Sequence, residues 1–168
     1  GGFVLFGADF TGKTSEEVKQ TIQSYQGKSL IPMAIAVDEE GGTVVRVSSN
    51  SQLSSHRFVS PQQVYASGGM NGVYNDAVEK SKLLLSLGIN LNFAPVADVS
   101  MNPSSYMYDR TFGKDAQQTA NYVRIVVDAM KSQRLSCTLK HFPGYGDNGD
   151  THTGIVYDER SLQSFQEN

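Results

Sequence analysis

Two pairs of titratable or cationic side chains lie close together between residues 140 and 152. Lys140 is followed directly by His141, and Asp150 precedes His152 by two positions. Two of the chain's three histidines therefore fall in one short segment. Pro, Gly, Asn and Asp also form turns for backbone reasons alone, but this concentration of reactive groups favours a chemical site over a plain turn.

The surrounding residues show how such a site would be mounted. A short apolar run, 135–139, precedes Lys140, and a Pro143-Gly144 turn follows it. The residues after the turn are rich in Gly, Asp and Asn. A strand, an abrupt turn and a polar loop are the usual arrangement in which a rigid scaffold carries functional side chains.

A metal centre is one reading of this segment. The candidate ligands are His141, Asp147, Asp150 and His152, which could together bind zinc or manganese. The chain has no His-x-His or His-Glu-x-x-His signature to support this reading. A metal-dependent hydrolase therefore stays open as an alternative.

Composition places the chain among ordinary globular proteins. Its 168 residues are 39% hydrophobic and 18% charged, enough for one domain with a real core. A net charge of −3 gives no indication of binding to nucleic acid or to an anionic membrane, and no apolar run approaches the roughly 18 residues of a membrane helix. The single cysteine, Cys137, excludes an internal disulfide and a cysteine-rich zinc module.

The hydrophobic pattern predicts alternating strands and helices. Apolar runs predict strands at 2–6, 31–37, 89–94 and 136–140. Cap residues and helical periodicity predict helices at 14–26, 60–87 and 115–133, and residues 158–168 resemble the start of another. Gly68-Gly69 is expected to break the second of these helices.

The strand–helix repeat indicates a parallel sheet, either doubly wound or part of a (β/α)8 barrel. The GxGxxG spacing is missing after the first strand, which weakens the dinucleotide-binding reading. Candidate polar residues follow strand ends, where both folds place their sites. They are Asp38, Asp98, Lys140 and His141.

A barrel takes about 250 residues. Residues 1–168 are therefore expected to be an incomplete portion, roughly the first half, of a single barrel domain.

Five ordered motifs resemble the family 3 glycoside hydrolases, in their β-N-acetylglucosaminidase branch. The motifs are Val37-Asp38-Glu39-Glu40-Gly41-Gly42 with Arg46, Gly88 to Val99, Asp109-Arg110-Thr111-Phe112-Gly113, Lys140-His141-Phe142-Pro143-Gly144, and Asp150-Thr151-His152. The resemblance covers nearly the whole chain. It implies a (β/α)8-like catalytic domain that cleaves β-linked N-acetylglucosamine with retention and needs no cofactor and no metal.

The resemblance also implies residue roles. Asp150 and His152 would form the catalytic acid/base dyad, and Asp38 would hold hydroxyls of the terminal sugar. The other residues of the sugar pocket would be Arg46, Arg110, Lys140 and His141. The nucleophilic Asp is expected beyond Asn168, so the implied partners are a carbohydrate substrate and the remainder of the same catalytic domain.

Histidine suits the acid/base role on chemical grounds. Its ordinary pKa of about 6.5 lies near the working pH of proton transfer. It becomes neutral on giving up its proton, so an anion such as phosphate could approach the glycosyl-enzyme without repulsion. Asp150 could fix the tautomer and stabilise the charged ring. The glycine-flanked loop is expected to move, so that the dyad reaches the glycosidic oxygen only with substrate bound.

The chain departs from the family pattern at two positions and leaves several readings open. Tyr145 stands where the family often has His, and Thr151 stands where it often has Ser. Glu39 and Glu40 are expected to be structural, Asp98 to tie down a loop, and His56 to be solvated. The charges of Asp38, Arg46, Arg110 and Lys140 could instead serve as caps or salt bridges.

Three functional alternatives remain at this point. They are a sugar-binding relative without catalysis, the metal-dependent hydrolase, and phosphorolysis in place of hydrolysis. The glycan could be a peptidoglycan fragment or a chito-oligosaccharide. A bacterial protein that is extracellular or on the cell surface is favoured over a cytoplasmic one.

Overall fold

A four-stranded parallel sheet forms the centre of the computed structural model, which describes residues 1–167. The strands are β1 (Gly2–Leu5), β2 (Ala34–Val37), β3 (Leu91–Asn92) and β4 (Ser136–Cys137), and their order in the sheet is their order in the chain. Leu5 pairs with Val37, Val37 with Asn92, and Asn92 with Cys137. The predicted parallel strand–helix arrangement is confirmed. In the described part of the chain the sheet is open, and the barrel is not closed.

The strands are shorter than the apolar runs predict. Side-chain amides replace some of the backbone hydrogen bonds between neighbouring strands. Gln26 bonds both the N–H and the C=O of Met33, each at 2.9 Å, so β2 begins only at Ala34. Asn90 accepts from Ile35 N at 2.8 Å, and Asn92 accepts from Glu39 N at 3.0 Å and donates to Glu39 O at 3.1 Å. These bonds join β3 to β2 although only two residues of β3 have strand geometry.

Five helices accompany the sheet. They are α1 (Gly7–Phe10), α2 (Ser15–Gln26), α3 (Pro61–Leu87), α4 (Ala116–Ser132) and α5 (Leu162–Glu167), with a 3-10 turn at Tyr108–Arg110. The predicted caps are present, since Thr14, Ser60 and Asp115 each accept a backbone N–H of the first helical turn. Gly69 is non-helical at φ 57° and ψ −155°, which confirms the break in α3. The short α1 was not predicted, and the predicted residue 168 of the last helix lies outside the described residues.

The core lies between the sheet and α2, α3 and α4. Ile35 and Val37 of β2 are fully buried, together with Leu84 and Leu87 of α3 and Met130 of α4. The two outer strands leave apolar side chains exposed, among them Phe3 in β1 and Leu139 just after β4. In residues 1–167, no helix has both the length and the apolar character that a membrane span requires.

Two glycines, one inside α3 and one directly after it, should respond in opposite directions to replacement by alanine. Gly88 ends the helix at φ 93°, and an added Cβ would lie 3.0 Å from Ile22 Cγ2. Gly68 lies inside the helix with open space around it. We expect Gly88→Ala to lower the free energy of unfolding by about 1–2 kcal/mol. Gly68→Ala should raise it by about 0.4–1 kcal/mol, because alanine restricts the unfolded chain.

Urea unfolding of both variants beside the wild type measures this difference. A loss of stability in Gly68→Ala equal to that in Gly88→Ala would contradict the assignment of Gly88 as the left-handed helix stop.

Candidate active site

A cleft of about 650 Å³ opens at the carboxyl ends of the strands. All seven residues predicted for the site line it, namely Asp38, Arg46, Arg110, Lys140, His141, Asp150 and His152. They come from the residues after β2, the segment before α4 and the segment after β4. The fold therefore brings together side chains that are far apart in the sequence. Asp38 and His152 are separated by 114 positions.

The buried carboxylate of Glu40 lies at the floor of this cleft. Its two oxygens accept from Arg110, with Nε at 3.0 Å and Nη2 at 2.8 Å. The ammonium of Lys140 lies 2.6 Å from the same carboxylate. The Glu40 side chain is only 2% exposed, so this is a desolvated cluster of one anion and two cations. Burial alone would lower the pKa of Arg110, but the Glu40 carboxylate raises it above its ordinary value.

Lys140 also contacts Asp38, a residue predicted to bind the sugar. Its Nζ is 2.6 Å from Asp38 Oδ1, and both side chains are partly exposed to the cleft. An ammonium and a carboxylate side by side present a donor and an acceptor to the same small region. Such a pair can bond neighbouring hydroxyl groups of a sugar.

Glu39 explains why Glu40 faces the cleft. Its side chain is buried on the opposite side of the backbone and accepts from the N–H groups of Arg46, Val47 and Ser48 at 2.7–3.2 Å, and from the Ser48 hydroxyl. These bonds fold residues 41–48 back against the end of β2. The predicted structural role of Glu39 is thus confirmed.

Arg46 is carried to the cleft by this folded segment. Its Nε is buried and has no hydrogen-bond partner among the described residues. An unpaired buried N–H is costly, and such groups are rare in folded proteins. Arg46 lines the cleft, so its guanidinium can donate to a ligand there.

Behind the cleft, Lys80 fixes the backbone of Glu40. This lysine of α3 is buried, donates to Glu40 O at 3.0 Å and pairs with Asp76 at 2.8 Å. Its ammonium also lies 5.1 Å from the centre of the Phe58 ring. The backbone of Glu40 is therefore anchored from the helix side while its carboxylate is anchored from the cleft side.

His141 is held between Asp98 and Arg110. Its Nδ1 lies 2.7 Å from Asp98 Oδ2, and its Nε2 lies 3.3 Å from Arg110 Nη2. Because a guanidinium can only donate, Nε2 is the acceptor and Nδ1 carries the proton given to Asp98. This arrangement fixes the orientation of the ring.

Asp98 anchors this part of the loop, as predicted. Its side chain is completely buried, and it accepts from the backbone N–H of His141 at 3.0 Å and of Tyr145 at 2.7 Å. Burial acts to raise the pKa of Asp98. The hydrogen bonds from His141 and Tyr145 outweigh burial and hold the pKa below its usual range.

Asp150 and His152 form the second histidine–carboxylate pair at the rim of the cleft. His152 Nδ1 is 2.6 Å from Asp150 Oδ1, and its backbone N–H bonds the same oxygen at 2.9 Å. The backbone bond from His152 is the main reason that the pKa of Asp150 is lowered, and the ring of His152 adds to it. The His152 side chain is 73% exposed, in contrast to His141 at 26%. Its Nε2 has no protein partner among residues 1–167.

Comparison with known proteins identifies the family. Residues 1–168 match the glycosyl hydrolase family 3 N terminal domain. The chain belongs to this family. The resemblance drawn from the sequence motifs is therefore confirmed.

Three family 3 relatives show how far the similarity extends. The chain is 35% identical to β-hexosaminidase A of Pseudoalteromonas piscicida over 92% of this chain and 27% of that protein. It is 32% identical to β-hexosaminidase LpqI of Mycobacterium tuberculosis over 92% of this chain and 39% of that protein. A family 3 β-N-acetylglucosaminidase structure from Paenibacillus sp. FPU-7 superposes with a TM-score of 0.86 at 26% identity, over 99% of this chain and 32% of that one. The chain spans less than half the length of each.

The sequence did not place Glu40, Tyr106 or Phe6 in the cleft that they line. Glu40 was expected to be structural like Glu39, yet it bridges Arg110 and Lys140, two of the three cations predicted for the sugar pocket. Its position two residues after Asp38, close to the end of a buried strand, was the available signal. Tyr106 and Phe6 also line the cleft, and nothing in their sequence surroundings distinguishes them. His56 is exposed in its loop, as predicted.

Each histidine of the cleft forms an ion pair or hydrogen bond with one carboxylate. His141 faces Asp98, and His152 faces Asp150. Asp147 is instead the acceptor of a 3.4 Å bond from Ser100. Within residues 1–167, no group of three or more His, Cys, Asp or Glu side chains is arranged to hold a metal ion.

Replacing Glu40 should destabilise the protein more than replacing an exposed glutamate. Glu40→Gln leaves Arg110 and Lys140 desolvated without their shared anion. We expect it to lower the free energy of unfolding by about 3 kcal/mol. Glu79→Gln, at a side chain 60% exposed on α3, should change it by less than about 0.5 kcal/mol. Equal effects in urea unfolding would show that Glu40 carries no special electrostatic role.

Asp98 should make stability depend on pH in the acid range. Its pKa is lower in the folded than in the unfolded protein, so its contribution is fully present above the unfolded-state pKa of about 4. That contribution is lost as the pH falls through the folded-state pKa. Asp98→Asn should lower stability by about 1–3 kcal/mol at pH 7 and flatten the decline below pH of about 4. Unfolding curves between pH 7 and pH 3 measure both effects. An unchanged acid slope in the variant would contradict the prediction.

Proposed function

We propose that the protein carrying this chain hydrolyses terminal β-linked N-acetylglucosamine from glycans, such as peptidoglycan fragments or chito-oligosaccharides. The reaction retains configuration, and Asp150 and His152 supply the acid/base pair. Membership of family 3 supports this proposal, as do two relatives named β-hexosaminidase at 35% and 32% identity.

The observation that carries the proposal is the Asp150–His152 contact beside the charged cluster. With Nδ1 engaged by Asp150 at 2.6 Å, Nε2 is the nitrogen that remains for proton transfer. The same cleft holds Asp38 and the Glu40–Arg110–Lys140 cluster. A proton donor and a set of hydroxyl ligands therefore share one cavity.

The charged cluster suits an uncharged, hydroxyl-rich ligand. Asp38 can accept from hydroxyl groups, and Lys140 and Arg110 can donate to them. Each cation already has a carboxylate partner within 3.0 Å, so neither strongly demands an anionic ligand. Arg46 also lines the cleft, so its guanidinium adds a further donor.

The proton movements follow from this geometry. In the first step the Nε2–H of His152 protonates the glycosidic oxygen as its bond to C1 breaks, and a carboxylate nucleophile bonds C1. In the second step the neutral Nε2 takes a proton from water, and the water oxygen displaces the nucleophile from C1. Asp150 stabilises the charged imidazolium before the first step and after the second.

We assign the nucleophile to the remainder of the catalytic domain, outside residues 1–167. In this proposal the described residues supply the sugar pocket and the acid/base pair. The chain would then be one portion of a (β/α)8 domain, and the open edges of its sheet would be covered by the missing strands.

The decisive experiment compares two histidine variants in the protein that carries this chain. We expect His152→Ala to lower kcat/KM for a disaccharide of N-acetylglucosamine by about 10²–10⁴-fold, because the leaving oxygen loses its proton donor. His56→Ala, at an exposed histidine outside the cleft, should leave the rate within about twofold.

Normal turnover of the disaccharide by His152→Ala would overturn the acid/base assignment. No turnover by the wild type would overturn the proposed activity and favour a sugar-binding role. Product analysis with added phosphate distinguishes free N-acetylglucosamine from the sugar phosphate that phosphorolysis would give.

A further inference from the structure

Two side chains of the segment after β4 form a hydrogen bond beside the proposed acid/base pair. The hydroxyl of Tyr145 lies 2.6 Å from Thr151 Oγ1. Thr151 stands between the two members of the proposed acid/base pair. Tyr145 is itself fixed at its backbone, since its N–H donates to the buried carboxylate of Asp98 at 2.7 Å. The bond therefore links the acid/base segment to the rigid part of the site.

A second tyrosine reaches the same segment from another part of the chain. Tyr106 comes from the loop between β3 and α4, and its hydroxyl lies 3.4 Å from His152 Nδ1. Nδ1 already donates to Asp150 Oδ1, so the Tyr106 hydroxyl lies beside the bond that joins the pair, with the Asp150 carboxylate as its acceptor. Burial and this hydrogen bond to Asp150 both raise the pKa of Tyr106.

The two rings also contact each other. Their centroids are 5.7 Å apart with an interplanar angle of 53°, and the Tyr145 ring meets His141 edge-on at 5.0 Å. The aromatic contacts thus run from the acid/base segment to the histidine of the sugar pocket. This is a continuous set of contacts between the two histidines of the cleft.

The acid/base segment has few other contacts with the body of the protein. Asp150 bonds within its own turn, to His152 and Thr153. Thr151 and His152 are exposed. The two tyrosine hydroxyls therefore account for much of what holds residues 150–152 against the cleft.

We propose that Tyr106 and Tyr145 are positioning residues that hold the Asp150–His152 segment at the cleft, through hydroxyl bonds to Asp150 and Thr151. We call Tyr106, Tyr145 and Thr151 the tyrosine clasp. It touches no reacting atom and acts through His152, and it rests on the acid/base role proposed above. Small displacements of a catalytic group cost large factors in rate, so the clasp should matter most where proton donation limits the reaction.

The test compares two substrates that differ in their need for an acid. A disaccharide leaving group requires a proton, whereas a dinitrophenyl leaving group departs without one. We expect Tyr106→Phe to lower kcat/KM for the disaccharide by about tenfold, the size of one lost hydrogen bond, and to change kcat/KM for the dinitrophenyl glycoside by less than about twofold. Tyr145→Phe should behave in the same way.

Thr151 provides a matched pair of variants. Thr151→Val keeps the shape of the side chain and removes its hydroxyl, and should give the same selective loss. Thr151→Ser restores the hydroxyl and should recover the rate for the disaccharide. Tyr74→Phe, at an exposed tyrosine of α3 outside the cleft, should leave both rates unchanged.

Each outcome has a distinct meaning. A selective loss for the disaccharide, with rescue in Thr151→Ser, supports the clasp. Equal losses of kcat/KM for both substrates would indicate a general structural role of the tyrosines and would overturn the clasp. An unchanged kcat/KM for the disaccharide would overturn it as well. Wild-type protein that turns over neither substrate would instead overturn the proposed activity itself.

Discussion

The buried carboxylate of Glu40 joins two cations that arrive from different parts of the chain. Arg110 reaches it from the segment before α4, and Lys140 reaches it from the segment after β4. Among the described residues Glu40 is the one carboxylate paired with Arg110, and Lys140 has only Asp38 besides. Removing this anion is therefore costly, because a desolvated unpaired charge costs several kcal/mol. The position of Glu40 in turn depends on Glu39, whose carboxylate collects three backbone N–H groups. Glu39 thus fixes the backbone of the loop after β2, and Glu40 fixes the two cations in the cleft.

The two histidine–carboxylate pairs of the cleft have the same composition and different surroundings. His141 lies between a buried Asp98 and Arg110, so the orientation of its ring is fixed and neither nitrogen is available for a proton shuttle. His152 has Asp150 on one side and an open Nε2 on the other. Burial and the neighbouring guanidinium suit the first pair to binding, and exposure suits the second to chemistry. Sequence spacing alone does not make this distinction.

Much of the architecture follows from the sequence, and the reasons are local. Buried apolar runs, helix caps such as Thr14 and Ser60, and the glycine pair in α3 predict the strand–helix order. The parallel sheet then requires that Asp38, Lys140 and His141 meet at one edge. The bonds of Asn90 and Asn92 to the neighbouring strand could not be foreseen, because they depend on the pairing of residues 53–57 positions apart. The contacts of Tyr106 could not be predicted either, because its loop has no regular sequence pattern.

The pairing at Glu40 also bears on how the cleft responds to dissolved salt. Its charges are matched at distances of 2.6–3.0 Å, well inside the screening length of about 8 Å at physiological ionic strength. Mobile ions gain little by entering a place where each fixed charge already has a partner. An uncharged ligand that bound there would displace no counterions, so its affinity would be almost the same at low and at high salt concentration.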